Sequence, residues 1–498
     1  MPAIITNKFR LNNAEQFSES FSETANEVYY LGIGRPQPFG TATRPDGRTD
    51  YEGTDALPNT PADSIGREFY TYDDLVAAKR ITGSNVSFVI PRRNWTAGTV
   101  YDIYRHDYGE YTTGSTSVRK TSNSGATTLF DSNFYVLSSA RNVYKCLDNN
   151  GGATSTDEPT GVSTSVITTT DSYKWKFMYT LSAAQQANFL STDFMAVSPN
   201  SNPGSDQSNV MSAAVNGAID IVKIKSAGSG GTAGTFTNIP IRGDGSGGLA
   251  TVVVAGGLVT SVTVTTPGTG YTFGTISNAQ IVAAGATNLA GAELDVIIPP
   301  KGGHGANAQE ELGAFFVMMN TSLEGTESAN SGDFSAVNDF RKIALFRNPT
   351  KSNSAVSSNT ARLTKAIKIA SSPSPGTFTP DEEINQATTG ATGKVVEWDS
   401  TNNILYYIQT RHNDAGVDAD GNLTAFSGAN VITGQGGSSP TGTPDTSSTG
   451  TVNNVEFTSG YSSPEIDHDS GDVLYIENRT PIQRAPDQTE NIKLVIEF

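Results

Sequence analysis

The final stretch of the chain carries its clearest pattern. Ile492, Leu494, Ile496 and Phe498 alternate with Lys493, Val495 and Glu497, a period of two that predicts a half-buried strand. A second strand-like run at 473–476 precedes it, joined by a polar connection from Glu477 to Glu490. Similar short runs recur upstream at 28–33, 86–90, 135–137, 142–147, 314–319 and 342–346, and Pro36, Pro91 and Pro349 follow three of them, where a missing N–H stops a ladder. Residues 361–370 are expected to extend the sheet of the 342–346 run. Between Asp171 and Tyr179, residues Tyr173, Trp175, Phe177 and Tyr179 share one face and Lys174 and Lys176 the other, as in an antiparallel strand with one wet side. That aromatic stripe reads either as core or as a sugar platform.

Helical signals are few. An extended arm is expected at 3–12, then a helix start at 13–16 that sets Phe17 and Phe21 four apart on one face. Residues 71–80 read as a short helix with Thr71 as cap, Asp73 and Asp74 in the first turn and Lys79-Arg80 at the end. The turn Gly34-Arg35-Pro36 presents Arg35, and the Gly-, Pro-, Asp- and Thr-rich segment 40–63 reads as a loop.

Fifty glycines and 36% hydrophobic residues fit many short strands joined by turns, so the fold class is all-β with minor helix. A chain of 498 residues exceeds one ordinary core. We expect two β-sandwich domains with two small inserted β modules. One sandwich is discontinuous, built from 1–90, 312–370 and 452–498; the other spans 91–205. The first module, 206–311, is Gly-rich and carries an echo at an offset of 40, Val222 to Gly234 against Val262 to Gly274, with Ala255-Gly256-Gly257 as a hairpin turn. The second, 371–451, holds a hairpin of 394–398 with 404–408 and ends in a flexible linker, 434–450.

Charge and motif searches narrow the function classes. The net charge of −17, from 50 acidic and 33 basic residues, opposes phosphate backbones and argues against a nucleic-acid partner. No apolar run reaches the ~18 residues of a membrane span, and 1–13 carry no signal-like core, so no membrane is expected and assembly in the cytoplasm is. The single Cys146 excludes a disulfide framework. No H-E-x-x-H, C-x-x-C, P-loop or G-x-S-x-G motif is present, and His106, His304, His412 and His468 are scattered. Gly243 to Gly248 matches G-x-G-x-x-G but runs into a strand pattern, without the helix N-terminus a pyrophosphate needs. Asp414, Asp418 and Asp420 fail calcium-loop spacing, and Asp467-His468-Asp469 reads as a turn. Neither a catalytic residue nor a cofactor or metal is expected.

Val86 to Ile90 delivers Arg92, Arg93 and Trp95 to its end, either as an interface anchor or as a pair bridging two domains, with carboxylate partners for the arginines. The order E-N-R-x-P-I from Glu477, Asn478 and Arg479, then D-Q-T-E from Asp487 and Gln488, then an alternating strand, resembles the C-terminus of the dimeric baseplate wedge subunits of T-even-type contractile-tailed phages, the myoviruses. Gly34 to Phe39, Ile90 to Trp95, Val143 to Asp148, Asp171 to Trp175 and Asp339 to Ile343 are further stretches of likeness in the same order. The resemblance covers the first 200 residues in patches, 314–349 and 471–498. It implies two β-sandwich domains in a structural virion protein of the tail baseplate, a homodimer that binds other wedge subunits and takes part in the rearrangement triggering sheath contraction. Arg35, Arg92, Arg93, Trp95, Glu477, Asn478, Arg479, Asp487 and Gln488 are the matching candidate interface or domain-bridging residues. The alternative is a tail-associated adhesin binding host carbohydrate, with Tyr271, Trp398, Tyr406 and Tyr407 as platforms.

Overall fold

Short alternating strands cannot bury an apolar face alone and must pair. In the computed structural model they pair almost entirely antiparallel, giving an all-β protein with a minor share of helix. The structure describes residues 4–23, 27–39, 41–43, 49–51, 53–108, 122–326, 334–335, 339–410, 417–481 and 489–498. Two compact units divide the chain. One comprises Phe17–Val86 and Met319–Leu494, the other Met1–Gln16, Ser87–Met318 and Val495–Phe498.

In the first unit a five-stranded sheet runs in the order Thr360–Arg362, Leu75–Ile81, Tyr29–Gly34, Lys342–Arg347, Asp472–Asn478. Its register sets Gly34, Lys342 and Asn478 side by side at one end. Tyr30, Leu75, Ala78, Ala344 and Phe346 form its core with Ile466. The helix expected at 71–80 lies elsewhere: Ile65–Thr71 is helical, with the Ser64 hydroxyl accepting from Arg67 N, and Tyr72–Asp74 is one 3-10 turn. Leu75–Ile81 is a strand paired on both sides. Its Ala, Leu and Lys residues favour helix intrinsically, but ladder bonds and burial between two strands outweigh that preference.

A seven-stranded sheet completes this unit, in the order Thr441–Gly442, Ile432–Gly434, Glu383–Gln386, Ala391–Asp399, Ile404–Ile408, Lys365–Lys368, Tyr461–Ser462. The expected hairpin at 394–408 is present. Residues 361–370 do not extend one sheet; they split between the two. The 434–450 segment is not a free linker either. Ala370 N donates to Thr443 O and Asp445 N to Lys368 O, both at 2.8 Å, while Pro440, Gly442 and Pro444 are buried. Its composition lacks large side chains, yet its backbone groups still find partners and so order it. Within 40–63, Gly53–Thr54 pairs with Leu57–Pro58 and Thr41–Thr43 with Thr49–Tyr51.

In the second unit, helix Asn7–Ser20 begins inside the residues expected as an extended arm, because Leu11 and Ala14 give it a buried face. Near its end, in residues that belong to the first unit, Phe17 meets Phe21 edge-on at 5.0 Å. A four-stranded sheet runs Ile167–Thr168, Lys174–Thr180, Asn142–Asp148, Tyr135–Leu137. Its aromatic strand has no wet side: Lys176 is buried, and a register shift between Phe177 and Tyr179 divides the stripe. Tyr173, Trp175 and Phe177 enter one core, whereas Met178 and Tyr179 both enter another.

The Gly-rich module realises its echo in three dimensions. Gly228 and Gly230 have φ of 68° and 76°, and their counterparts Gly268 and Gly270 have 67° and 79°. The opening strand of the first copy, Ile221–Ser229, pairs with the closing strand of the second, Ala290–Ile297. Leu249–Ala255, closing the first copy, pairs with Leu258–Thr266, opening the second. Val222, Ile241, Val252, Ile281 and Val296 then share one core, so neither copy buries its apolar face without the other. A Cβ on Gly268 would lie 2.5 Å from Gly248 N and Ser246 O, whereas one on Gly256, φ 60°, would meet nothing within 4 Å. Gly268→Ala is therefore expected to cost more than the ~1 kcal/mol of left-handed strain alone, and Gly256→Ala no more than that. Urea unfolding of both variants checks it; equal losses would contradict the close approach.

Candidate interaction site

Three stretches behind the family resemblance meet at one end of the five-stranded sheet. Arg35 follows Gly34 with φ 53°, Arg341 precedes Lys342, and Glu477 to Arg479 close the neighbouring strand. Arg35 is at a turn as expected, but it is buried there, not displayed. Its backbone N–H donates to Asp74 O at 2.6 Å, its guanidinium lies 3.6 Å from the Asp74 carboxylate, and it stacks 4.4 Å from the Phe39 ring centre. Lys342 Nζ donates to both Asp74 oxygens at 3.0 and 2.9 Å. Asp74 is fully buried, so a single carboxylate carries two buried cations.

Arg341 extends the set outward. It donates through Nε to Asp55 at 3.0 Å and through a second nitrogen to Pro36 O, and its own N–H reaches Gly34 O at 2.9 Å. Arg479 N donates to Arg341 O at 2.8 Å, and the Arg479 guanidinium covers Phe340. Asn478 Nδ2 donates to Asn59 O, and Glu477 accepts from the Tyr475 hydroxyl at 2.9 Å. These candidate residues fasten the chain to itself. Asp487 and Gln488 lie outside the described residues.

Arg92, Arg93 and Trp95 belong to the second unit, and their described partners are carbonyls and neutral side chains where carboxylates were expected. Arg92 donates to Ser191 O at 2.7 Å and Asn94 Oδ1 at 2.9 Å. Arg93 donates to Phe130 O at 3.0 Å and covers the Tyr135 ring at 4.5 Å. Trp95 Nε1 donates to Ser155 Oγ at 3.1 Å, and Ser155 Oγ donates in turn to Asp171. Burial pushes the Asp171 carboxyl up, but bonds from Thr169, Thr156 N, Asp157 N and Tyr173 N outweigh it and bring it down to about 2. The acid thereby pins the 155–157 segment to the start of the aromatic strand.

A second buried polar cluster escaped the sequence reading. Lys145, fully buried, donates to Glu311, which also accepts from Gly305 N at 2.8 Å and Asn307 N at 3.1 Å. The Lys145 ammonium sits 4.9 Å from the Tyr104 ring centre, and His304 packs edge-on against that ring. The signal was the alternation itself: Lys145 shares a strand face with Val143 and Leu147, both core residues. Burial first, then the charges of Lys145 and Lys176, hold the His304 imidazole well below its usual range.

The adhesin's platforms fare differently. Tyr271 is buried, its hydroxyl donating to Ile241 O at 2.8 Å, and Tyr407 is buried against Phe426; Trp398 and Tyr406 are half-buried. Tyr271 and Tyr407 are core residues, not stacking surfaces. His468 Nε2 lies 3.0 Å from Asp73 and packs against Phe69, while Asp467 pairs with Lys351 at 3.0 Å. Among the described residues no group of His, Cys, Asp and Glu is arranged to hold a metal ion. No protein-family model and no curated protein matches the chain.

Two expectations follow. Asp74→Ala leaves two buried cations without their carboxylate and should cost about 3–5 kcal/mol, more than Lys342→Met, which leaves Arg35 to neutralise Asp74. Chemical unfolding of both compares them directly, and a smaller loss for Asp74→Ala would refute the sharing. For His304 the folded pKa lies below the unfolded value of 6.5, so its stabilising neutrality is complete above 6.5 and is lost as pH falls toward the folded pKa. Stability should fall by up to about 1.4 kcal/mol per pH unit below that point. His304→Gln should flatten the slope between about pH 5 and 6.5, and an unchanged slope would exclude His304 as its source.

Proposed function

We propose that this chain is a structural subunit of a contractile-tail phage baseplate wedge: a virion protein of the myovirus type that forms a homodimer, binds other wedge proteins and takes part in the rearrangement triggering sheath contraction. It acts through contacts and carries out no catalysis. The observation that supports the reading most is the convergence of its family-like stretches. Gly34, Lys342 and Asn478, drawn from three segments far apart in sequence, stand in register on adjacent strands. Likewise Val143–Asp148 pairs with the strand that begins after Asp171. Stretches that resembled one family only by their order in sequence are neighbours in space, as parts of a common frame would be.

The all-β modular architecture agrees with such a role, and the burial of Tyr271 and Tyr407 removes two of the four residues on which the adhesin reading rested. Light scattering at several concentrations tests the proposal. A mass twice 52.4 kDa that persists on dilution, and co-elution with other wedge proteins of a contractile-tailed phage, are expected. A stable trimer, or a chain that joins none of those proteins, would refute it.

A further inference from the structure

A buried amine held against a buried carboxylate is a pair of reactants as well as an ion pair, because the two can condense to an amide with loss of water. Lys145 and Glu311 are such a pair. Their side chains are 0% and 1% exposed, and Lys145 Nζ donates to Glu311 Oε2. The carboxylate is fixed by the backbone: Gly305 N donates to Oε1 at 2.8 Å and to Oε2 at 3.1 Å, and Asn307 N to Oε1 at 3.1 Å. Tyr104 covers the ammonium, and His304, edge-on to that ring, has a buried Nδ1 without a hydrogen-bond partner.

The charges around the pair favour its neutralisation. Lys176 stands directly opposite Lys145 on the neighbouring strand and is itself buried, donating to Thr164 O at 2.5 Å. Like charges opposite one another across a ladder repel, more strongly away from water. Asp220, another acid whose charge reaches Lys145, has its carboxyl pushed up by burial and so offsets them less. Burial also pushes the Lys145 ammonium below its usual range despite Glu311, and Lys176 adds to that. These effects promote the neutral amine, which is the nucleophilic form.

We propose that Lys145 and Glu311 condense spontaneously into a side-chain amide, an isopeptide bond that ties the strand Asn142–Asp148 to the helix Ala308–Leu312. It is independent of the wedge reading. The ion pair is the reactant state. A proton passes from Nζ to Oε2, leaving an amine and a carboxylic acid. Nζ then attacks Cδ, and the charge that builds on Oε1 is met by the N–H groups of Gly305 and Asn307. The Cδ–Oε2 bond breaks and Oε2 departs as water with two of the three ammonium protons; the third stays on the amide nitrogen. No oxidant or outside reagent enters. Reactants held together in this way reach effective molarities of roughly 10⁵–10⁸ M, which drives a condensation that bulk water opposes. The product removes two buried charges and the repulsion with Lys176.

Mass spectrometry of the denatured full chain tests this. Wild-type protein should weigh one water less than its sequence. A trypsin digest should hold residues 142–174 joined to residues 302–341, because a bonded Lys145 is no longer cleaved. Lys145→Arg should keep its full sequence mass, and Glu311→Gln should lose ammonia and arrive at the wild-type mass. Wild-type protein at its full sequence mass overturns the proposal, as does a missing water that persists in Lys145→Arg. The wild-type mass and digest decide even where a variant does not fold.

Discussion

The first unit depends on the carboxylate of Asp74. Taking an ion out of water costs several kcal/mol even after relaxation, and Asp74, Lys342 and Arg35 are all removed from solvent together. Each is tolerable only because the others are in place. The pair Asp74–Lys342 spans 268 residues of sequence, so this interaction cannot form until the 3-10 turn, the strand from Lys342 and the turn at Arg35 have come together. Contacts of that separation are the ones whose loop-closure cost slows folding. What the cluster gives in return is registration: Gly34 and Lys342 are held level, because sliding either strand would leave a buried charge unpaired.

The second unit solves a related problem with a different acceptor arrangement. Glu311 takes Lys145 on one side and the backbone N–H groups of Gly305 and Asn307 on the other, so the ion pair also satisfies a loop that has no ladder of its own. Arg92 and Arg93 do the converse, spending guanidinium donors on carbonyls of Ser191 and Phe130. In a fold built from short strands and long connections, irregular backbone leaves many polar groups to be paired. Charged side chains turned inward are one way to pair them.

This explains what was legible in the sequence. Short strand-like runs such as 142–147 and 342–346 were placed almost to the residue, because a compact apolar run with its bounding turn is local information. The Leu75–Ile81 strand was misread because its residues favour helix in isolation, and only its two neighbours, drawn from residues 29–34 and 360–362, reverse that preference. The aromatic stripe was seen, but not its division between two cores, since a bulge leaves no mark in the pattern. Arg92 and Arg93 were assigned carboxylate partners by type, whereas carbonyl partners are set by the course of the backbone and carry no side-chain signature.

On the proposed wedge-subunit reading, the placement of the candidate residues also constrains where partner recognition can lie. Arg35 is buried, and Arg92, Arg93, Trp95, Glu477, Asn478 and Arg479 are half-buried with hydrogen bonds or ring contacts inside their own unit. Residues committed in this way hold a frame, and the likeness they carry is a likeness of frame. On that reading, choice of partner falls to groups that remain available, such as the exposed faces of the Gly-rich module and of the seven-stranded sheet, where the resemblance does not reach. Charged and aromatic residues turned inward fix the strands, and on the proposed reading the less constrained segments are left to meet other proteins.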